Sequence, residues 1–288
     1  MQNYWIFYSL WGLLALGLWD FIKKVIIQKW ANKEVFLFVC FVFYLILLGW
    51  NFLLNWNFNF IETEIKSALI IWTFDAIIPL WVLTAFKYLD VSFALVFLRI
   101  ISLIAILFIG MKILWDELTV ANIIWFIMWV IAIFLLSGFS FKQKHKISKK
   151  WLIALIMTTL AVIWSHSYFK YAVSDINIDN FMILKFAVSF FVITIYMLVR
   201  WKFAYFSKKQ VKLVLPLAFL TAIIFVTQFL YFLPNIYLNW PLSLGYKILS
   251  YSLIVPIILS IIFYKDKVTK RKVIAFILTI ISLGLFIV

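Results

Sequence analysis

Apolar residues run through the chain in long blocks of close to twenty residues, and charged or Pro/Asn-rich breaks separate them. A bilayer core requires roughly 20 apolar residues per helix, so each block predicts a membrane-spanning α-helix. Blocks of this length exceed the strands of a membrane β-barrel. The pattern therefore predicts an all-α polytopic membrane protein with ten transmembrane helices. The predicted spans are Tyr4–Ile22, Val35–Leu54, Ser67–Phe86, Phe93–Met111, Val120–Phe141, Trp151–Phe169, Phe181–Val199, Leu213–Leu233, Leu242–Tyr264 and Val273–Val288.

Two pairs of segments share an order of residues half a chain apart. "KYLDVSFALVFLRI" at 87–100 and "IYLNWPLSLGYKIL" at 236–249 both have Tyr-Leu, a polar residue and then an apolar helix that carries a basic residue. "WDELT" at 115–119 corresponds to "KDKVT" at 265–269, and the offsets are 149 and 150 residues. Because five helices separate equivalent positions, the second copy enters the membrane from the opposite side. We expect two inverted five-helix repeats, residues 1–141 and 151–288, joined by a basic linker loop at 142–150.

These segments resemble the drug/metabolite transporter superfamily, in its EamA-type ten-helix form. "GLLALGLWDFIKK" at 12–24 is similar to the first helix of that family, in which a Trp precedes a polar residue and a Lys. Residues 87–119 and 236–269 follow the plan of its fourth-helix block, so the resemblance covers essentially the whole chain. Where the family commonly has Gly-Glu-Arg before Leu-Thr, this chain has 115–117 Trp-Asp-Glu and 265–267 Lys-Asp-Lys. The resemblance implies a metabolite transporter with cytoplasmic termini.

The composition agrees with a membrane location and constrains the partners. Apolar residues make up 67% of the 288 and charged residues only 13%, too few for a soluble chain of this length. The net charge is +15, but the basic residues lie between apolar blocks, which favours lipid headgroups over nucleic acid as their counter-charge. The expected partners are a small-molecule substrate and the lipid bilayer, with the chain a monomer or homodimer.

The distribution of basic residues predicts an orientation in the cell membrane. One alternating set of breaks carries twenty lysine and arginine residues, and the set that includes both termini carries three. Short loops rich in Lys and Arg favour the cytoplasm, so we expect both termini outside. This orientation is opposite to the one that the family resemblance implies.

Asp75 lies in "IIWTFDAIIPLW" at 70–81, near the middle of a predicted span. Pro79 has no N–H, so the carbonyl of Asp75 loses its helical partner, and Pro79 is a predicted hinge. The carboxylate and the freed carbonyl predict a polar notch at Asp75 that binds the substrate, through an ammonium group, or protons. Trp72 shares the face of Asp75, and the two also hint at a site for a cation. The alternative is that Asp75 pairs with Arg99 and only fixes the packing of two helices.

Arg99 and Lys247 lie at equivalent depths of the two repeats, with Ser102 and Ser250 on their respective helical faces. A pair of cations beside a central site suits a carboxylate or phosphate on the substrate. The alternative is that their long side chains snorkel to the interface. Snorkelling is the favoured interpretation for Lys185.

Other polar residues inside the spans are candidates for the same cavity. His166 is a candidate proton relay or a hydrogen-bonding residue of the bundle. Gln228 and Thr221 lie seven residues apart on one helix and either line the cavity or join helices.

A secondary transporter accounts best for the repeat, the proline and the few intramembrane charges. We expect a small polar organic solute, such as an amino acid or another zwitterion or organic anion, to move by alternating access between the halves. The alternatives are a transporter of a quaternary amine or other cation, and a lipid flippase of the same fold. The sequence has no cluster of catalytic residues and no Gly-rich phosphate loop, so we expect neither an enzyme nor a cofactor.

Overall fold

The structure is a computed structural model that describes residues 4–28, 31–55, 60–88, 91–113, 119–136, 149–234, 238, 251–265 and 268–287. These residues form helices and contain no β-strand, which confirms the all-α prediction for them. The α-helices are α1 (Tyr4–Gln28), α2 (Lys33–Asn55), α3 (Glu62–Tyr88), α4 (Val91–Ile113), α5 (Val120–Leu136), α6 (Lys149–Ala172), α7 (Ile178–Val199), α8 (Lys208–Thr227), α9 (Ile254–Tyr264) and α10 (Lys270–Ile287). Short 3₁₀ segments cover Lys202–Tyr205 and Tyr251–Leu253, and a π-helical turn, Gln228–Phe232, continues α8.

Three helices are long and apolar enough to cross a membrane among the residues described. They are Lys33–Asn51, Ile178–Val199 and Lys208–Leu230, with mean hydropathies of 2.0, 2.3 and 2.3. Half or less of each apolar window is buried inside the protein, so much of its apolar surface faces outward. That is how a helix at the edge of a membrane bundle distributes its side chains. The remaining spans stay predictions.

Two helix boundaries differ from the predicted spans in ways that matter for the site. The first predicted span ends at Ile22, whereas α1 continues to Gln28 and so includes Lys23, which the sequence assigned to a loop. The helix continues because Lys and the Val-Ile-Ile that follows have no helix-breaking residue among them. The first half of the ninth predicted span lies outside the described residues, and its described part contains the 11-residue α9. α3 continues as one helix through Pro79.

The helices of the first half pack mainly on helices of the second half. α3 packs on α6 and α7, α2 packs on α7 and α8, and α4 packs on α6. α1 packs on α8, on the π-helical turn and on α9, while α5 packs on α10. The core between them is aromatic, with Tyr44, Phe186, Phe225 and Phe229 in contact at ring-centroid distances of 4.7–6.2 Å. The interface between the halves is therefore the main hydrophobic core.

Two helix starts are tied to the other half by the same kind of hydrogen bond. Asn32 caps α2 with its side-chain oxygen, which accepts from the N–H groups of Glu34 and Val35, and its own N–H donates to Gln210 Oε1 of α8 at 3.0 Å. An Asn side chain at this position satisfies donors that the first helical turn leaves open. The acceptor for the backbone N–H of Asn32, Gln210, is the third residue of α8, a helix of the second half.

The start of α7 repeats this arrangement. Asn177 caps α7 by accepting from the N–H groups of Asp179 and Asn180, and its own N–H donates to Glu64 Oε1 of α3 at 3.0 Å. Glu64 Oε2 also accepts from the Ile61 N–H and from Asn180 Nδ2, both at 3.2 Å. Glu64 is only 1% exposed, so its carboxylate replaces its lost hydration with three hydrogen bonds.

Two glycines allow α1 to approach the second half closely. A Cβ added at Gly12 would overlap the ring of Phe232 in the π-helical turn. A Cβ added at Gly17 would overlap Val255 and lie 2.6 Å from the carbonyl oxygen of Ser252. Small residues permit such backbone approach between packed helices.

Candidate functional site

A cavity of about 130 Å³ lies where α1, α3 and α4 face α6, α7 and α8. Both halves of the chain therefore contribute to its wall. Its charged and polar lining residues are Asp20, Lys23, Arg99, Ser165, His166, Lys185 and Gln228. The rest of the lining is apolar or aromatic, as expected for a small-molecule site.

An ion cluster joins α1 to α4 at this cavity. Asp20 is fully buried, and its two carboxylate oxygens have different partners. Oδ1 accepts from Lys23 Nζ at 2.8 Å, and Oδ2 accepts from Arg99 Nη2 at 3.0 Å. The Lys23 ammonium also lies 4.6 Å from the ring centroid of Trp19. Burial of a carboxylate costs desolvation free energy, and hydrogen bonds from a cation to each oxygen offset that cost.

Lys185 enters the cavity from the opposite half. Its ammonium lies 3.9 Å from the ring centroid of Phe229 and 5.2 Å from that of Phe186. The side chain of Lys185 is 1% exposed, so the expectation that it snorkels is wrong. Aromatic faces attract a desolvated ammonium, which gives this lysine a reason to stay inside the bundle.

Gln228 lies at the start of the π-helical turn and lines the same cavity. It is 3% exposed, and its Oε1 has no hydrogen-bond partner among the residues that the structure describes. An unsatisfied buried acceptor costs about 1–3 kcal/mol, which is a reason to look for a ligand there. Single π-helical turns inside α-helices also occur frequently at functional sites.

The lining residues of α1 and α6 follow one spacing. α1 contributes residues 16, 19, 20 and 23, and α6 contributes residues 162, 165, 166 and 169, each 146 positions later. Residues 78 and 82 of α3 likewise have counterparts 147 positions later, 225 and 229 in α8 and its π-helical continuation. Equivalent helices of the two halves thus present equivalent faces to the cavity.

A second cavity of about 80 Å³ adjoins the first. Both cavities are lined by Trp19, Lys23 and Val82. The wall of the second cavity is otherwise formed mainly by apolar and aromatic residues of α2 and α3, and Pro79 is one of them. The predicted hinge residue therefore lies beside the ion cluster.

Of the residues predicted from sequence, the structure brings three together at the first cavity. Arg99, His166 and Gln228 line it. Ser102 is fully buried one turn beyond Arg99, and Thr221 is fully buried two turns before Gln228, but neither lines the cavity.

The other predicted site residues lie outside what the structure describes. Trp72 and Asp75 lie on α3, and their side chains are outside the described set. Lys247 and Ser250 lie in 239–250, outside the described residues altogether.

Sequence reasoning missed Asp20 and Lys23 as site residues. Asp20 was assigned to the end of the first span and Lys23 to the loop after it, because a charged residue after an apolar block normally marks the interface. The signal was present in "GLWDFIKK" at 17–24, where Asp20 and Lys23 are three residues apart and share a helical face with Leu16.

Comparison with known proteins gives a fold but no function. No family model matches the chain, and no curated protein matches it. A solved structure, described only as "Crystal structure of protein", superposes with a TM-score of 0.70 at 14% identity, covering 98% of both chains. At this identity the likeness concerns the fold alone.

Proposed function

We propose that this protein is a secondary membrane transporter of a small organic solute that carries an anionic group, such as an amino acid or an organic acid. The observation that carries the proposal is the cavity between the halves, where buried charged groups from both halves meet. Charged groups are costly inside a membrane bundle and mark substrate pathways by default. We further propose that the chain is an EamA-type member of the drug/metabolite transporter superfamily.

The charge of the cavity favours an anionic group over a simple cation. Among the described residues that line it, Lys23, Arg99 and Lys185 are basic and Asp20 alone is acidic. The described lining residues therefore carry three formal positive charges and one negative charge. A substrate carboxylate would bind among these cations, and Gln228 Oε1 could accept a hydrogen bond from an ammonium or hydroxyl group of the same substrate.

The pairwise packing of the helices supports two equivalent halves. If each helix is exchanged for the one five places along, the α3–α6 contact becomes the α8–α1 contact, and α2–α8 becomes α7–α3. The α4–α6 contact likewise becomes α9–α1, while α2–α7 and α5–α10 map onto themselves. An odd number of helices per half then places the halves in opposite orientations across a membrane.

The two asparagine caps support the same symmetry and suggest where access is controlled. Asn32 with Gln210, and Asn177 with Glu64, correspond at offsets of 145 and 146 residues. In an inverted repeat the two contacts lie at opposite membrane faces. Alternating access then opens one contact while the other stays closed, with the cavity between them.

Transport can be tested in proteoliposomes with the purified chain. Labelled alanine and labelled succinate should accumulate inside, and labelled choline should not, because the cavity carries excess positive charge. Arg99→Gln should reduce uptake at least about tenfold. Lys66→Gln serves as the matched control, because Lys66 is exposed and its partner in the described ion pairs is the exposed Glu62. Choline uptake without anion uptake would favour the cation alternative, and movement of headgroup-labelled lipid alone would favour a flippase.

The proposed location is the cell membrane, with ten spans and both termini outside. A reporter fused to the C-terminus that is active only in the cytoplasm should stay inactive. Strong reporter activity would instead favour the orientation that the family resemblance implies.

A further inference from the structure

Asp20 is the one carboxylate that the structure places in the wall of the first cavity among the residues it describes. We propose that Asp20 is a tethered counter-anion: in the empty protein it occupies the position that a substrate carboxylate takes over on binding. The inference rests on the proposed function and specifies how the same site recognises its substrate. It predicts that the substrate class is defined by a carboxylate that competes with Asp20 for Arg99.

The geometry of Asp20 resembles that of a bound carboxylate ligand. Each of its oxygens accepts from a different cation, Lys23 on one side and Arg99 on the other, at 2.8 and 3.0 Å. A free carboxylate offers the same two oxygens at the same separation. Lys185 of the second half also lines the cavity, so a substrate carboxylate that takes over Arg99 would bind among further cations.

A comparison with Glu64 separates this role from a structural one. Glu64 is also a buried carboxylate, but its partners are two backbone N–H groups and an amide, and it does not line the cavity. Its hydrogen bonds close a helix start and leave no place for a ligand. Asp20, in contrast, binds only side-chain cations in the hydrogen bonds described, and those cations face the cavity.

Displacement of Asp20 would also loosen α1 from α4. The link that Asp20 makes with Arg99 joins two helices that pack on different partners, α1 on α8 and α9 and α4 on α6. A substrate that takes over Arg99 removes this link. Substrate binding is thereby coupled to a change in contacts between helices, as a two-state transporter requires.

Chemical rescue by acetate tests the inference. Asp20→Ala leaves a carboxylate-sized space beside two cations, so the variant in sodium chloride should melt below the wild type. Sodium acetate should then raise the melting temperature of Asp20→Ala more than the same concentration of sodium chloride does. The reason is that a ligand that binds only the native state stabilises that state. Calorimetry should give an acetate affinity at least about tenfold above that of the wild type, in which Asp20 competes.

Glu64→Ala is the matched control, because it removes a buried carboxylate outside the cavity. Acetate should stabilise Glu64→Ala no more than chloride does. If Asp20→Ala does not fold, Asp20→Asn keeps the shape and loses the charge, and it should also bind acetate more tightly than the wild type. Equal effects of acetate and chloride on the Asp20 variants, or equal acetate affinity in variant and wild type, would overturn the inference.

The results also separate this inference from the proposed function. Acetate rescue without any uptake of alanine or succinate by the wild type supports the counter-anion and refutes transport. Uptake without rescue supports transport and refutes the counter-anion.

Discussion

The two halves of the protein share a scaffold but differ in chemistry at equivalent positions. On α1 the cavity is faced by Trp19, Asp20 and Lys23, and on α6 the residues 146 positions later are Ser165, His166 and Phe169. α1 thus carries an ion pair where α6 carries hydroxyl, imidazole and phenyl groups. The backbone arrangement needs only apolar faces of matching shape, which both helices provide. The difference shows that equivalent helix faces can line one cavity with different chemistry: Asp20, Lys23 and Arg99 come from the first half, and Lys185 is the charged lining residue of the second half among those described.

The two asparagine caps also have similar geometry but chemically different acceptors. Asn177 donates to the charged Glu64, which makes three hydrogen bonds, whereas Asn32 donates to the neutral Gln210, which accepts one in the structure. Glu64 is buried, and Gln210 is partly exposed to solvent. The two helix starts are therefore unequally stabilised, although their caps have similar geometry.

The largest difference in stability between the halves should appear when the side chains that accept from the two capping asparagines, Glu64 and Gln210, are removed. Glu64→Ala leaves three donors without their acceptor and should lower the free energy of unfolding by about 3 kcal/mol. Gln210→Ala removes one hydrogen bond near solvent and should cost about 1 kcal/mol. Thermal unfolding in detergent measures both, and equal losses would contradict the inequality of the caps.

The close approach of α1 to the second half should tolerate a side-chain substitution less well than the equivalent position of α6. Gly17→Ala places a methyl group against Val255 and the Ser252 carbonyl oxygen, and should cost about 1–3 kcal/mol. Residue 163 of α6, 146 positions later, is a half-buried isoleucine. Ile163→Leu conserves volume and should cost less than about 1.5 kcal/mol. The same melting assay compares the two variants.

The charged wall should matter for transport more than the neutral one. Lys23→Met removes a cation that binds Asp20 and should reduce uptake of the labelled anion about tenfold, which corresponds to about 1.4 kcal/mol of lost transition-state stabilisation. Phe169→Met changes the equivalent position of α6 without a change of charge and should leave uptake within about threefold of the wild type. A larger loss for Phe169→Met would show that shape, rather than charge, governs the site.

Substitution of His166 should have the smallest effect on uptake if the α6 wall carries no charge. His166→Asn keeps a hydrogen-bonding group but removes the only imidazole in the described wall of the cavity. Uptake measured across pH 5.5–8.5 should stay within about threefold of the wild type and keep the same pH profile. A profile that flattens in the variant would identify His166 as a proton relay instead.

Much of the architecture can be read from the chain, because helix formation in an apolar environment depends on local composition. Blocks of apolar residues predict most helices, and the approximate half-chain offset predicts which helices correspond. The start of α8 is also readable, since Ser207 and Gln210 have the spacing of a capping box and the Ser207 side chain accepts from the Gln210 N–H. The prediction of Arg99, His166 and Gln228 as site residues rests on the cost of polar groups inside spans, which is likewise a local property.

Only the tertiary structure decided which of these polar groups meet. The sequence placed Lys23 in a loop and Lys185 at the interface. A lysine near the end of an apolar block has a low free energy in two environments: in water, or in a protein interior that offers suitable partners. Local sequence does not distinguish between these environments. The second position requires Asp20 for Lys23 and the rings of Phe186 and Phe229 for Lys185. The bond from Asp20 to Arg99 spans 79 residues of sequence, and Asn177 and Glu64 are 113 residues apart. Such contacts depend on how the helices pack, and no local sequence pattern specifies which residues so far apart in the chain will meet. Composition thus determined the helices, and packing between the halves determined the site.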